Sequence, residues 1–182
     1  MRIVGGALKG RRFPAPKGRD TRPTSDRVRE ALASALEARG AIARARVLDG
    51  FAGTGALGFE ALSRGAESAV LVDTDPKVRR GLEASAAALE LSARVTVRRD
   101  DMFGAKIDGV LDLGPFHLVF LDPPYARVPD LGPLLAALVP ALAEDALVVV
   151  ERDRRDALPE HPLRAVTSYR YGDTAVDLLS RA

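Results

Sequence analysis

Residues 116–126, FHLVFLDPPYA, end an apolar run with an acid, two prolines and a tyrosine. Phe116, Leu118, Val119, Phe120 and Leu121 have the make-up of a buried strand, so Asp122 falls at its carboxyl tip. Each proline fixes its own φ near about −65° and drives the residue before it toward extended backbone. Asp122-Pro123-Pro124 is therefore a stiff stretch that holds the Asp122 side chain and the Pro123 carbonyl outward as acceptors, with the flat face of Tyr125 next to them. Acceptors beside an aromatic plate suit a planar base that carries an NH2 group. The lone pair of that nitrogen is delocalised into its ring, which makes it a poor nucleophile. Two acceptors holding its two hydrogens align the lone pair with a methyl sulfonium, so that positioning and a preorganised field carry the rate without a strong base. Tyr125 would stack on the extruded base, a contact worth ~1–3 kcal/mol.

A second cluster surrounds VLDGFAGTGALG. Gly53, Gly55 and Gly58 satisfy G-x-G-x-x-G between a candidate strand and a candidate helix, and Asp73 ends the next strand 20 residues after Gly53. Glycine lets the backbone turn tightly and lets a ligand approach it, while a strand-tip carboxylate can accept both hydrogen bonds of a ribose diol. Alone, this pattern fits a nicotinamide dinucleotide nearly as well as S-adenosylmethionine. Asp49 separates the two: a negative charge four residues before Gly53 is awkward beside a pyrophosphate and suits the ammonium of a methionine moiety. Asp100 and Asp101, in RRDDMF, end a third strand where an adenine amine would lie, and Asp100 is the preferred contact. The candidate cofactor residues are Asp49, Phe51, Ala52, Gly53, Gly55, Asp73, Thr74, Asp100 and Asp101; the candidate catalytic residues are Asp122, Pro123, Pro124 and Tyr125.

These groups need a scaffold that brings strand tips together. From residue 46 onward strands and helices alternate: ARVLDGF, SAVLVD, ARVTVRR, FHLVFLD and DALVVVE read as strands, and ALGFEALSRG and LGPLLAALVPAL as helices. Another helix starts at Asp75, its N-cap, with Pro76 at the first position. Near-continuous apolar strands predict a parallel sheet covered on both faces, in an α/β doubly wound fold. Ligands of such sheets sit outside the carboxyl ends of the strands, where Asp49, Asp73, Asp100 and Asp122 all fall. The tail LRAVTSYRYGDTAVDLLS predicts two longer strands turning at Gly172-Asp173. Upstream, RIVGG and RRFPAP predict a short hairpin around Leu8-Lys9-Gly10. Pro23 and then Thr24 or Ser25 start a helix with Val28, Ala31, Leu32, Ala35 and Leu36 on its apolar face. Glu60 and Arg64, four residues apart, read as a helix ion pair.

One domain is the simplest organisation for 182 residues, with residues 1–24 as a basic arm and 25–182 as the α/β body. Residues 1–29 hold nine Lys and Arg against two Asp, whereas the whole chain carries only +2, so a polyanionic partner would be met at one end. The absence of Cys excludes disulfides and thiolate metal sites, and two His are too few for a His-based metal centre, so no metal is expected. No apolar run approaches the roughly 20 residues of a membrane span, and MRIVGGALKGRR lacks the features of a secretory signal. The expected setting is cytoplasmic and the expected state monomeric. The chain also has no Asn and no Gln, which points to a hot-growing source or to a base-composition bias that favours Ala and Arg.

The chain resembles the bacterial 16S ribosomal RNA guanine-N2 methyltransferases of the RsmD type. The likeness runs through RIVGGALKGRRF, TRPTSDRVREAL, LDGFAGTGALGFEALSRGA, VLVDTD and FLDPPYA. DPPY alone marks any amine-directed methyltransferase; the glycine-basic arm followed by RPT-x-DRVREAL is far more specific. The resemblance implies a seven-stranded, Rossmann-like methyltransferase sheet whose last strand is antiparallel. It further implies S-adenosylmethionine as donor and the N2 of guanine 966 in 16S rRNA, free or in an assembling small subunit, as acceptor. Lys9, Arg11, Arg12, Arg22 and Arg27 would grip RNA phosphates. This chain departs from the family pattern at Gly50, Asp73 and Ser85, where Leu or Cys, Glu and Asn are usual. Two rivals share single features: a DNA adenine-N6 methyltransferase shares DPPY, and an NAD(P)-dependent oxidoreductase shares the glycine turn. A non-catalytic RNA-binding module would share only the arm.

Overall fold

The computed structural model describes residues 1–14 and 26–181. Arg22 and the expected helix start at Pro23–Ser25 lie outside the described residues. Five parallel strands come first: β1 (Arg46–Asp49), β2 (Ser68–Val72), β3 (Val95–Arg98), β4 (Phe116–Leu121) and β5 (Leu142–Asp153). β6 (Arg164–Tyr171) and β7 (Thr174–Ser180) follow as a hairpin, and the sheet order is β3-β2-β1-β4-β5-β7-β6. β7 pairs antiparallel with both β5 and β6, and the turn between them is at Gly172, φ 61°.

Alternate side chains of each strand enter two cores. Val47, Leu118 and Phe120 pack beneath α1 (Asp26–Glu37), α2 (Ala56–Ser63) and α3 (Pro76–Ala88). Leu48, Val119 and Leu121 pack on the other face with α4 (Asp108–Leu111) and α5 (Leu131–Leu138). This two-sided burial is why the strands read as unbroken apolar runs. Asp75 caps α3 through a hydrogen bond from the Lys77 N–H at 2.7 Å, with Pro76 behind it, as its spacing predicts. The helix expected through LGPLLAALVPAL stops at Leu138, and Val139–Ala141 tightens into a 3-10 turn around Pro140, whose ring and missing N–H oppose a continued α-helix. The short α4 was not evident in the sequence.

Two expectations need correction. The N-terminal hairpin has no regular strands; it closes through a single antiparallel bridge, Arg2 to Arg12, with Ile3 N–H donating to the Arg11 carbonyl at 3.0 Å. On α1, Leu32 and Leu36 of the expected face are buried, but Arg29 and Ala33 are buried with them while Val28, Ala31 and Ala35 are half-buried. A cationic side chain thus occupies the first place of the buried stripe.

The hairpin docks onto the body. Ile3 and Phe13 are buried in the core, and the Phe13 ring meets Phe59 edge-on at 5.3 Å. Glu60 accepts from the Val4 N–H at 2.9 Å, and the Ser63 hydroxyl donates to the Gly5 carbonyl at 2.6 Å. Ser85 donates to the Pro14 carbonyl at 2.9 Å and ties down the far end of the hairpin. Glu60 and Arg64 do form a helix pair, and they do more. The Arg64 side chain, 4% exposed, contacts Glu60, Glu30 and Glu37 at 2.8, 2.7 and 2.5 Å, which joins α1 to α2. A Cβ on Gly5 would lie 1.9 Å from this guanidinium, so a glycine there lets the hairpin lie directly on the ion cluster. Arg64→Met leaves Glu60 buried without its cation and should cost about 3–5 kcal/mol. Urea unfolding measures it, and a loss under ~1 kcal/mol would show the cluster to be ordinary surface charge.

Candidate active site

β1 and β4 run side by side, Asp49 in register with Phe120, and then part company. β1 passes into the glycine turn and α2, held by Gly50 N–H donating to the Phe120 carbonyl and Ala52 N–H to the Val72 carbonyl, both at 2.9 Å. β4 passes into Asp122-Pro123-Pro124 and a 3-10 helix, Tyr125–Asp130. The divergence opens a cleft of about 680 Å³, within the range of small-ligand sites. Asp122, Pro123, Pro124 and Tyr125 line it together with Asp49, Phe51, Ala52, Gly53, Asp73, Thr74, Asp100 and Asp101. Residues far apart in sequence therefore share one cavity.

Gly55 is the exception among the candidate cofactor residues, being absent from the cleft wall. It is the N-cap of α2 at φ 76°, and an added Cβ would come within 2.5–2.9 Å of the Phe59 ring and Leu82. Its glycine serves backbone conformation and helix packing. Gly58 does similar work, since a Cβ there would lie 2.4 Å from Leu71. Gly50 is tight as well, with Leu121 and Met102 at 3.0 and 3.3 Å from a Cβ position.

The charges in the cleft are mostly negative. Asp49 is buried and accepts from the Gly58 N–H at 3.2 Å. Burial pushes its carboxyl up from 3.8 to about 7, with repulsion from Asp73 adding to the shift and the Gly58 and Phe51 N–H groups opposing it. Asp73 accepts from the Gly53 N–H at 3.1 Å and the Asp75 N–H at 2.9 Å, so it braces the glycine turn. Asp100 pairs with Arg98 at 2.9 Å, while Asp101 accepts from the Phe103 N–H at 2.9 Å and is exposed. Asp122 lies well above the ordinary carboxyl range, through burial first and then repulsion from Glu151 and Asp49.

The arm is partly occupied. Arg11 donates to the Ala88 carbonyl and to Glu90, both at 2.8 Å, so an RNA phosphate would compete with Glu90 for it. Lys9, Arg12 and Arg27 are exposed.

Several cleft residues escaped the sequence reading. Glu151 follows Val150, which is in register with Leu121, so it stands next to Asp122 where β5, running on to Asp153, passes the end of β4. Its signal was the acid that closes the apolar run DALVVVE. Phe103 packs on Phe51 at 5.3 Å, and the Arg127 guanidinium sits 4.2 Å from the Phe103 ring centre, which forms an aromatic–cationic edge near Tyr125. Arg29 also lines the cleft. Its signal was an arginine at i of an i, i+3, i+4, i+7 apolar pattern.

The chain is similar to known proteins along most of its length. The family model described as Conserved hypothetical protein 95 matches residues 1–180. The putative rRNA methyltransferase YlbH of Bacillus subtilis is 38% identical over 162 residues, 88% of this chain and 86% of that protein. Ribosomal RNA small subunit methyltransferase D of Escherichia coli K12 is 38% identical over 168 residues, 89% and 79% of the two chains. The solved structure of the putative methyltransferase yhhF from Escherichia coli superposes with a TM-score of 0.82 at 36% identity, covering 100% of this chain and 97% of the other. With a family match along nearly its whole length and relatives of this identity and coverage, the chain belongs to the Conserved hypothetical protein 95 family and is a bacterial methyltransferase of the RsmD type.

Proposed function

We propose that the protein transfers a methyl group from S-adenosylmethionine to the exocyclic N2 of guanine 966 in 16S rRNA. The observation that carries this most is the meeting of Asp122-Pro123-Pro124-Tyr125 and the glycine turn in one acidic cleft. The names of the related rRNA methyltransferases support RNA as the substrate.

The residues present fit this cofactor. Asp73 would take the ribose diol, Asp100 or Asp101 the adenine amine, and Asp49 the ammonium, while Phe51 and Phe103 offer apolar faces. When bound, S-adenosylmethionine supplies an electrophilic methyl on a sulfonium. Asp122 and the rigid backbone after it would hold the NH2 hydrogens of the target base, and Tyr125 would stack on its ring. No strong base is needed, because N2 can lose its proton after the methyl has been transferred. Residues 1–24 would supply the phosphate contacts of the arm.

Glu151 favours guanine over adenine. Guanine presents its N1–H beside its NH2, two adjacent donor groups, and the cleft has two neighbouring carboxylates, Asp122 and Glu151. Adenine places an acceptor, N1, beside its NH2, and that acceptor would face a carboxylate. The nicotinamide alternative would set a pyrophosphate against Asp49 and Asp73, both buried.

Three measurements test the proposal. Incubated with labelled adenosylmethionine and rRNA from a strain lacking the enzyme, as naked RNA and as subunits, the protein should label one guanine at N2. Label on an adenine, or none on either substrate, overturns the assignment. Asp122→Ala should lower kcat by at least about 10²-fold while adenosylmethionine affinity stays within a few-fold; unchanged turnover removes Asp122 from the chemistry.

The third measurement is the pH dependence of binding. An ammonium favours ionised Asp49, so adenosylmethionine affinity should fall below about pH 7, by at most about tenfold per pH unit. Stability of the ligand-free protein should run the opposite way, because a carboxyl raised on folding binds its proton more tightly when folded. Its contribution is present below the unfolded value of 3.8 and is lost as pH rises through about 7. Asp49→Asn should flatten the binding profile measured by calorimetry; an unchanged slope assigns it to another group.

A further inference from the structure

Arg29 is 1% exposed, lies on α1 and lines the cleft. Its Nη2 donates to the Arg2 carbonyl at 3.0 Å and to Asp26 at 2.7 Å. Its Nε and Nη1 are buried and have no hydrogen-bond partner among the described residues. Asp26 does not neutralise it fully, because the same carboxylate also pairs with Arg2 at 2.6 Å. Arg29 also borders a small void bounded by Leu32, Leu36, Ile42 and Phe120, whose side chains offer no acceptor. Glu60 borders that void, and its carboxylate is held by Val4 and Arg64. A buried guanidinium with unused donors is costly unless an acceptor reaches it. The open side for such an acceptor is the cleft.

We infer that Arg29 is the anion seat of the cleft and receives the carboxylate at the amino-acid end of the cofactor, an inference that rests on adenosylmethionine being the methyl donor. That end carries a carboxylate and an ammonium on one carbon, so its two receptors must flank one point. Asp49 is in register with Phe120, and Phe120 borders the same small void as Arg29. Leu57 touches both that void and the cleft. Arg29, Leu57 and Asp49 thus line the same cleft, which puts the receptor for an anion and the receptor for a cation in one cavity. The carboxylate would otherwise meet a wall carrying six carboxylates, and Arg29 is the buried cation placed to offset them.

Calorimetric titration with S-adenosylmethionine and with its decarboxylated analogue, on the parent protein, Arg29→Met and Arg29→Lys, tests the inference. The parent should prefer the carboxylate-bearing ligand by roughly 10- to 100-fold. Arg29→Met should shrink that preference to within about threefold, with affinity for the decarboxylated analogue kept. Arg29→Lys should retain part of the preference, and it carries the test if the Met variant shows no melting transition. A parent with no preference, a variant that keeps the full preference, or an equal loss for both ligands overturns the role. A parent that binds neither ligand overturns the donor assignment instead, an outcome separate from one that binds both alike.

Discussion

The parallel contact between β1 and β4 decides where everything else in this protein goes. Its last register pair joins Asp49 to Phe120, after which the two chains leave in different directions and a cleft opens between them. Parallel strands present the same end to the same edge, so the acids that close them gather in one place. Burial and mutual repulsion hold Asp49 and Asp122 toward their protonated forms. A cavity in that condition favours ligands that bring positive charge or N–H donors. A sulfonium, an ammonium and an aromatic NH2 are such groups, so donor and acceptor base answer the same electrostatic demand.

The helices α1 and α2 and the hairpin are joined by buried cations. Arg64 ties α1 to α2 through three carboxylates and lies under the Gly5 backbone, while Arg29 fills the first place of the buried stripe on α1. The N-terminal hairpin closes over both, with Ile3 and Phe13 anchored in the core. The segment read as a basic arm is thus two things at once: Ile3 and Phe13 anchor it in the core with Met1 at the cleft, and Lys9 and Arg12 are exposed where a polyanion can reach them. Docking of the hairpin and shape of the cleft are coupled through α1, since Arg29 donates to the Arg2 carbonyl.

Much of the site was legible beforehand because its rules are local. Proline stiffness placed Asp122 at a strand tip, the 20-residue spacing placed Asp73 beside the glycine turn, and cap chemistry separated Asp75 from the ligand groups. Gly55 shows the limit of the motif. It satisfies the glycine pattern, yet its freedom is spent on a left-handed N-cap against Phe59 and Leu82. Glu60 and Arg64 show another limit, since i, i+4 spacing described their pairing and said nothing of Glu30, Glu37 or the hairpin above them.

What the sequence by itself determined, then, is the order of elements, the strand tips that carry acids and the rigid turn after Asp122. Backbone dihedral limits and side-chain periodicity act within a few residues, and a linear reading captures them. Only the tertiary structure decided that Glu151 stands beside Asp122, that Arg29 is buried at the cleft, and that Asp49 holds its proton up to about pH 7. Charge and solvent exclusion depend on neighbours brought together by the sheet and the docked hairpin, and those distances exist only once the chain has folded.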